Sequence, residues 1–293
     1  MTDNYPIFIL GTQRSGTTLL ARILSAHPDI FIQNELDLSK CFDQKHDTPT
    51  ITDAIKHQIL TKSDVCIDTE ISKNQHLVWG LKDPQLTEHT NKLLLFLPKS
   101  KFILIVRDAR GVVNSYIENK WGLGTNAYSG SLRWRKEVSQ QLDFMNKYPD
   151  NFLFIRYEDI IEDLETSMKQ VCQFLGKAFS QELLKYDQKS SNYIKRRENI
   201  NTFKKPDPTL ATKWKNRLST FQVSIIEELC DDLMTRLDYP LLTQGVTLNP
   251  WQKLYFIIHQ KIIGEIQLQY RWRKSAIFSW LQKYQNKAFF KER

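Results

Sequence analysis

Within Pro6–Leu20, PIFILGTQRSGTTLL, glycines at 11 and 16 bracket a cation, Arg14, and a hydroxyl, Ser15, and two more hydroxyls follow at Thr17 and Thr18. Glycines at both ends let a backbone turn sharply and approach an anion closely. A helix starting near Gly16 adds unsatisfied N–H groups and the positive end of its dipole. The set suits a phosphate or sulfate. A nucleotide-hydrolase loop of the form G-x-x-x-x-G-K-[ST] sends a lysine to the outer phosphates. Here residue 17 is threonine, and the strong cation lies inside the loop. A tight turn with a threonine cap would explain the hydroxyls but not Arg14 between two glycines.

Arg107 and Ser115, in VRDARGVVNSY, form a second pairing of guanidinium and hydroxyl. Positions 107, 111 and 115 are expected on one helical face at i, i+4, i+8 spacing. Gly111 in the middle leaves room at the backbone, so the pair could grip a second phosphate. The plainer alternative is an arginine snorkelling from a strand end to Asp108. Lys82 directly follows the apolar run Leu77–Leu81, where strand carboxyl ends face a ligand crevice in α/β sheets; pairing with Asp83 is its plain alternative.

These groups need strands and helices to position them. Ile7–Leu10, Ile30–Ile32, Leu77–Leu81, Phe102–Val106 and Phe152–Ile155 are short apolar runs that read as buried strands. Helical patterns follow Gly16, then over Leu86–Leu97, Val112–Glu118 (with Asp108 as N-cap), Ser131–Tyr148, Leu164–Leu175 and Phe221–Leu237, with a further helix around Asp53–Leu60. Trp121–Gly130 and Asn192–Pro208 read as loops. Strands alternating with helices predict an α/β fold, a P-loop-type parallel sheet flanked by helices, with a C-terminal helical appendage. Residues 1–248 are expected as one domain and 249–293 as a basic amphipathic tail.

The chain has 293 residues, 41% hydrophobic and 25% charged, which is ordinary for a globular protein. Its net charge of +8 is concentrated. From Trp251 onward, six lysines and three arginines face only Glu265 and Glu292. A basic isoelectric point therefore gives no reason to expect a nucleic-acid partner. Cys41, Cys66, Cys172 and Cys230 lack metal or CxxC spacing and read as reduced, mostly buried thiols. With no signal pattern before the first strand and no apolar run of the ~18 residues a span needs, a cytoplasmic protein is expected, peripheral to a membrane if its tail binds lipid.

The loop, continued through RSGTTLL and HPDI, resembles the 5′-phosphosulfate loop of sulfotransferases that use 3′-phosphoadenosine 5′-phosphosulfate (PAPS), and is most similar to the tyrosylprotein branch. The similarity runs from Pro6 to Pro240, firmest over residues 6–37, 80–119 and 152–176. The last fifty residues carry none of it. The resemblance implies that Arg14, Ser15, Gly16, Thr17 and Thr18 hold the phosphosulfate, and that Arg107 and Ser115 hold the 3′-phosphate. It implies that Tyr157 contacts the nucleotide and that a basic residue from a later loop completes the site. Lys213, in Thr212-Lys213-Trp214, matches that residue, with Lys204 and Lys205 as competitors.

The same resemblance gives Lys82, in LKDP, the bridging oxygen as it leaves, and gives Glu35 the proton of the acceptor hydroxyl. Burial would have to raise the Glu35 pKa for it to act near neutrality. Many sulfotransferases use a histidine, and this chain has His27, His46, His57, His76, His89 and His259; His27 belongs to the structural HPDI turn. Arginine and lysine would neutralise the charge that a kinase assigns to Mg²⁺, so no metal is expected. The tyrosylprotein pattern carries a serine before its final lysine, whereas Glu198–Phe203 offers Asn199, Asn201 and Thr202. Tyrosine specificity does not follow, and a protein tyrosine, a glycan or glycolipid, or a small alcohol would each serve as acceptor.

Two rival readings are a small-molecule kinase with a degenerate loop and a membrane-surface binding protein on a nucleotide-binding scaffold. In the tail, Trp251, Leu254, Tyr255, Ile258, Ile262, Ile266 and Tyr270 recur at three- and four-residue steps. Ile277, Phe278, Trp280 and Leu281 extend the apolar material. The stripe is expected to pack on its own domain or a second copy, or to lie on an anionic lipid surface flanked by Lys253, Lys261, Arg271, Arg273 and Lys274.

Overall fold

A computed structural model describes residues 5–36, 38–42, 48–83, 85–189 and 200–289; among side chains, those of residues 40, 48–50 and 275–289 are left out of the description. In chain order the elements are β1 (Ile7–Leu10), α1 (Thr17–Leu24), β2 (Ile30–Asn34), α2 (Ser39–Phe42), α3 (Thr48–Ser63), α4 (Ile67–Lys73), β3 (Val78–Lys82), α5 (Leu86–Phe96), β4 (Lys101–Val106) and α6 (Ala109–Asn119). There follow α7 (Ala127–Lys147), β5 (Phe152–Arg156), α8 (Tyr157–Glu162), α9 (Leu164–Leu175), α10 (Thr209–Thr212), α11 (Thr220–Arg236) and α12 (Pro250–Phe289). Every expected strand is present, and the sheet is parallel throughout, in the order β2-β3-β1-β4-β5.

The chain groups into two compact units. The first holds residues 1–108 and 136–213, and with them the whole sheet; the second holds 109–135 and 214–293. In the first unit β1 and β4 are almost wholly buried, which is why their sequences are unbroken apolar runs rather than alternating ones. Register aligns Phe8 with Phe102 and Phe102 with Phe152, and the three rings stack at centroid distances of 5.0 and 4.8 Å. This aromatic ladder fixes the pairing of β1, β4 and β5 on one face. On the β3 side, Gly80 stands opposite Ile7, and a Cβ there would lie 2.0 Å from the Ile7 carbonyl oxygen.

Local signals also hold. Asp163 accepts from the Thr166 amide at the start of α9, and Gly176 ends that helix at φ +70°. Ser219 and Gln222 form a capping box on α11. Two boundaries differ from expectation. α7 begins at Ala127, so Gly130 is helical rather than in the loop; it packs on Val113 in the second unit. The expected loop over Asn192–Pro208 contains a 3₁₀ turn at Ile200–Phe203, whereas residues 192–199 lie outside the described set.

The second unit has its own buried charge. Arg110 donates to Glu227 at 2.6 Å and to the Pro240 carbonyl at 3.0 Å, and its guanidinium lies 4.2 Å from the Trp214 ring centroid. Glu227 also accepts from the amides of Leu242 and Thr243 and from the Thr243 hydroxyl. Cys41, Cys172 and Cys230 are buried and in no disulfide, and burial pushes the Cys230 pKa up to about 12.

Gly80→Ala is expected to cost about 1–3 kcal/mol by overpacking the β1–β3 seam. Urea denaturation of the pure variant measures it, and an unchanged midpoint would show that the seam can open to admit a methyl group.

Candidate active site

The strand order sets where ligands go. From β1 the chain builds outward through β3 to β2 on one side and through β4 to β5 on the other. The crevice at the carboxyl ends of β1 and β4 is therefore a topological switch point, the usual ligand position in an open α/β sheet. The loop Gly11–Gly16 leaves β1 there, and Arg107 leaves β4.

The loop is held tightly. A Cβ on Gly11 would meet the Ile105 carbonyl oxygen at 2.5 Å, and one on Gly16 would meet the Tyr157 ring at 2.5 Å. Gly16 is the N-cap of α1 at φ +102°, and no side chain caps that helix. A threonine-capped turn is thus absent, and the first-turn amides keep their capacity for an anion. Arg14 sits at φ +74°, a left-handed conformation that costs a non-glycine residue about 1–3 kcal/mol and persists only where its surroundings enforce it. Ser15 supplies part of that enforcement: its amide and hydroxyl both donate to the Thr12 carbonyl, at 3.1 and 2.7 Å.

Arg107 supplies the rest. Its guanidinium donates to the Arg14 carbonyl at 3.3 Å and to the Leu210 carbonyl at 2.8 Å, and lies 4.4 Å from the Tyr157 ring centroid. Arg107 lies between β4 and α6, so it does not share a helical face with Gly111 and Ser115, contrary to the spacing argument. Burial raises the Tyr157 pKa despite the nearby cation, so its hydroxyl stays protonated.

On the other side of β1, parallel pairing explains a contact 47 residues apart in sequence. Lys82, the last residue of β3, is in register with Ile9 of β1 and Asn34 of β2. The next residue of the β2 chain, Glu35, donates its amide to the Lys82 carbonyl at 2.7 Å. Lys82 Nζ then meets Glu35 Oε1 at 3.0 Å. The Lys82 side chain is 2% exposed and that of Glu35 is 52% exposed. Glu35 is also at positive φ, +50°, and its carbonyl accepts from the Lys62 ammonium.

A profile of the sulfotransferase family matches residues 6–181, more than half of the chain. The chain belongs to the sulfotransferase family. A Caenorhabditis briggsae protein named putative protein-tyrosine sulfotransferase is 31% identical over 190 residues, covering 61% of this chain and 68% of the relative. Protein-tyrosine sulfotransferase 2 of Gallus gallus is 29% identical over 203 residues, covering 62% of this chain and 54% of the relative, so the chain spans about half the length of that protein. Among solved structures, the sulfotransferase domain of the curacin biosynthetic pathway superimposes with a TM-score of 0.59 at 22% identity, covering 81% of this chain and 99% of that domain. The sulfotransferase domain of the Synechococcus PCC 7002 olefin synthase gives 0.60 at 20% identity, with 83% and 98% covered. These likenesses establish the fold. Family membership gives the reaction, sulfuryl transfer to a hydroxyl acceptor, and does not favour the kinase alternative.

Within this sulfotransferase the expected residues are distributed unevenly. Arg14, Gly16, Tyr157 and Arg107 come together around the loop, and Lys82 and Glu35 meet beside it. Ser15 is present, but its hydroxyl is committed as a donor to the loop's own carbonyl. Thr17 and Thr18 open α1. Lys213 follows α10, the helix whose Leu210 carbonyl receives Arg107; Lys204 and Lys205 are exposed. Ser115 belongs to the second unit, where its carbonyl and hydroxyl oxygens accept from Asn119 at 2.6 and 3.0 Å. Asn201 and Thr202 lie in the 3₁₀ turn, and Asn199 and His46 fall outside the described residues.

The burial expected to tune Glu35 is found instead one residue past Lys82. Burial raises the Asp83 pKa, the Glu35 charge adds to the rise, and the Gln85 amide and Lys82 oppose it. Sequence reasoning missed Asp83 as a perturbed group because LKDP reads as a strand end followed by a turn. His27 is structural: the Asp29 amide donates to Nδ1 at 3.0 Å, so Nε2 carries the proton and donates to the Ala178 carbonyl at 2.9 Å.

Glu35→Gln is expected to lower sulfuryl transfer by roughly 10²–10⁴ with little change in melting temperature. His27→Ala should lower the melting temperature and spare the rate per folded molecule. The reverse pattern, read from labelled transfer to phenols and alcohols beside thermal melts, would move the base to His27.

Proposed function

We propose that this sulfotransferase takes its sulfuryl group from PAPS and delivers it to a hydroxyl acceptor whose proton passes to Glu35. The observation that carries this reading is the Lys82–Glu35 contact of 3.0 Å, made on the strand beside the one that launches the anion loop. In this reading Lys82 is the cation and Glu35 the base, paired beside the strand that carries the loop.

The donor groups fit such a ligand chemically. The uncapped first turn of α1 and the Arg14 guanidinium suit the 5′-phosphosulfate. Arg107, stacked on Tyr157, suits the 3′-phosphate, with Lys213 as the later basic residue, because its helix already receives Arg107 through Leu210. PAPS, when bound, supplies an activated sulfuryl group. Lys82 is almost completely removed from water, so its charge acts over a short range in a low dielectric and costs no reorganisation when negative charge develops beside it. Glu35 is half exposed, so an incoming hydroxyl can reach its carboxylate. The pairing with Lys82 orients that carboxylate before the acceptor arrives.

Binding and rate separate these roles. PAP, the desulfated product, is expected to raise the melting temperature, whereas ATP with Mg²⁺ leaves it unchanged; the opposite ranking would overturn the proposal in favour of a kinase. Arg107→Ala should weaken PAP binding by roughly ten- to a hundredfold and adenosine 5′-phosphosulfate much less, because a charge-assisted contact to the 3′-phosphate is lost. Lys82→Ala should abolish transfer with PAP affinity nearly intact. Near-normal turnover in that variant would remove Lys82 from the reaction.

A further inference from the structure

The sequence leaves the stripe to pack on its own domain or a second copy, or to lie on an anionic lipid surface; within the second unit it is turned outward. Within the second unit, α12 is held by its polar side. Gln260 accepts from the Thr125 amide at 2.8 Å and donates to the Gly122 carbonyl at 2.6 Å, and Gln267 accepts from the Gly122 amide at 3.0 Å. His259 meets the Thr125 hydroxyl at 2.9 Å, and Asn126 donates to the Phe256 carbonyl at 3.0 Å. Gly264 and Gly122 approach so closely that a Cβ on Gly122 would lie 2.5 Å from the Gly264 carbonyl oxygen. The Arg271 guanidinium covers the Trp121 ring at 4.3 Å. These contacts fix the rotation of the helix about its own axis.

The opposite side carries the apolar residues, and they are exposed: Trp251 at 79%, Ile258 at 45%, Ile262 at 56%, Ile266 at 58% and Trp272 at 70%. This reverses the usual arrangement of an amphipathic helix on a globular unit. Exposed cations at Lys261 and Arg273 flank this face and Lys253, Arg271 and Lys274 lie toward the held side, against a single acid, Glu265, over residues 250–274. No helix among the described residues is long and apolar enough to cross a membrane.

We propose that α12 lies flat in the interface of an anionic bilayer, its apolar face in the acyl boundary and its cations at the lipid headgroups. Charge decides between this occupant and a second copy. A two-fold contact would set this basic helix against its own duplicate, whereas an anionic surface supplies both the opposite charge and an apolar layer. Tryptophan and tyrosine together with lysine and arginine are the side chains that settle at such an interface. The proposal is independent of the sulfuryl-transfer chemistry, because no residue of the candidate active site takes part.

Flotation of the full chain with vesicles tests it. The wild-type protein is expected to float with phosphatidylcholine–phosphatidylglycerol vesicles and not with phosphatidylcholine alone, less so as salt is raised. The combined variant Ile258→Glu, Ile262→Glu, Ile266→Glu replaces only exposed side chains and should melt at the wild-type temperature, yet bind the anionic vesicles roughly tenfold or more weakly. Equal flotation with both vesicle types, no flotation, or undiminished binding by the variant would each overturn the proposal. A concentration-dependent dimer that the same variant dissolves, seen by sedimentation velocity, would overturn it in favour of a second copy.

Discussion

The turn out of β1 has no room for a side chain, and much of the first unit follows from that. At Gly11 the backbone lies against the Ile105 carbonyl of β4, and at Gly16 against the Tyr157 ring at the start of α8. A second strand and the first residue of a helix therefore form the wall of the loop. Because the loop must pass this close, Arg14 takes a left-handed backbone conformation, and the Thr12 carbonyl collects both donors of Ser15. Arg107 closes the arrangement from β4 by bonding the Arg14 carbonyl and covering Tyr157. The anion loop is thus pre-organised by groups whose positions the parallel sheet already fixes, so little ordering remains to oppose binding.

Parallel pairing performs the same service for Lys82 and Glu35. In a parallel ladder adjacent strands end on the same side, so residues at the ends of β3 and β2 become neighbours whatever their separation in sequence. Lys82 and Glu35 meet for this reason, and the amide bond from Glu35 to the Lys82 carbonyl continues the ladder by one step. The positive φ of Glu35 is a cost accepted at the point where the strand must turn and still present its carboxylate.

What was legible in the sequence follows from how local each signal is. The strands showed as apolar runs, and α9 showed both of its ends, because Asp163 and Gly176 act within their own helix. The glycine spacing of the loop showed a tight strand-to-helix turn for the same reason. Two features do not show in the local pattern. Arg107 looked helical because the helix start at Ala109 depends on where β4 ends. Asp83 was overlooked because its perturbation comes from burial and from Glu35, neither visible at LKDP. In α12 periodicity gave the existence of an apolar face but not its direction. Hydrogen bonds from Gln260 and Gln267 to the backbone of Gly122 and Thr125 determine which side is covered.

Two buried cations, Arg110 and Lys82, illustrate how the same physics yields a closed pair in one place and an open one in another. Arg110 and Glu227 are both almost fully buried, and the remaining capacity of the carboxylate is taken by backbone amides and a threonine hydroxyl. Removing either partner would strand a charge in a low dielectric at a cost of about 3–5 kcal/mol, so the pair behaves as a rigid joint of the second unit. Lys82 is just as buried, but its carboxylate partner is half in water. Glu35 therefore retains access to a solvent-borne group, and Lys82 retains an electrostatic field that a new anion can share. A closed network fixes structure, and a network left open on one side can exchange partners, which is what the proposed roles of Lys82 and Glu35 need.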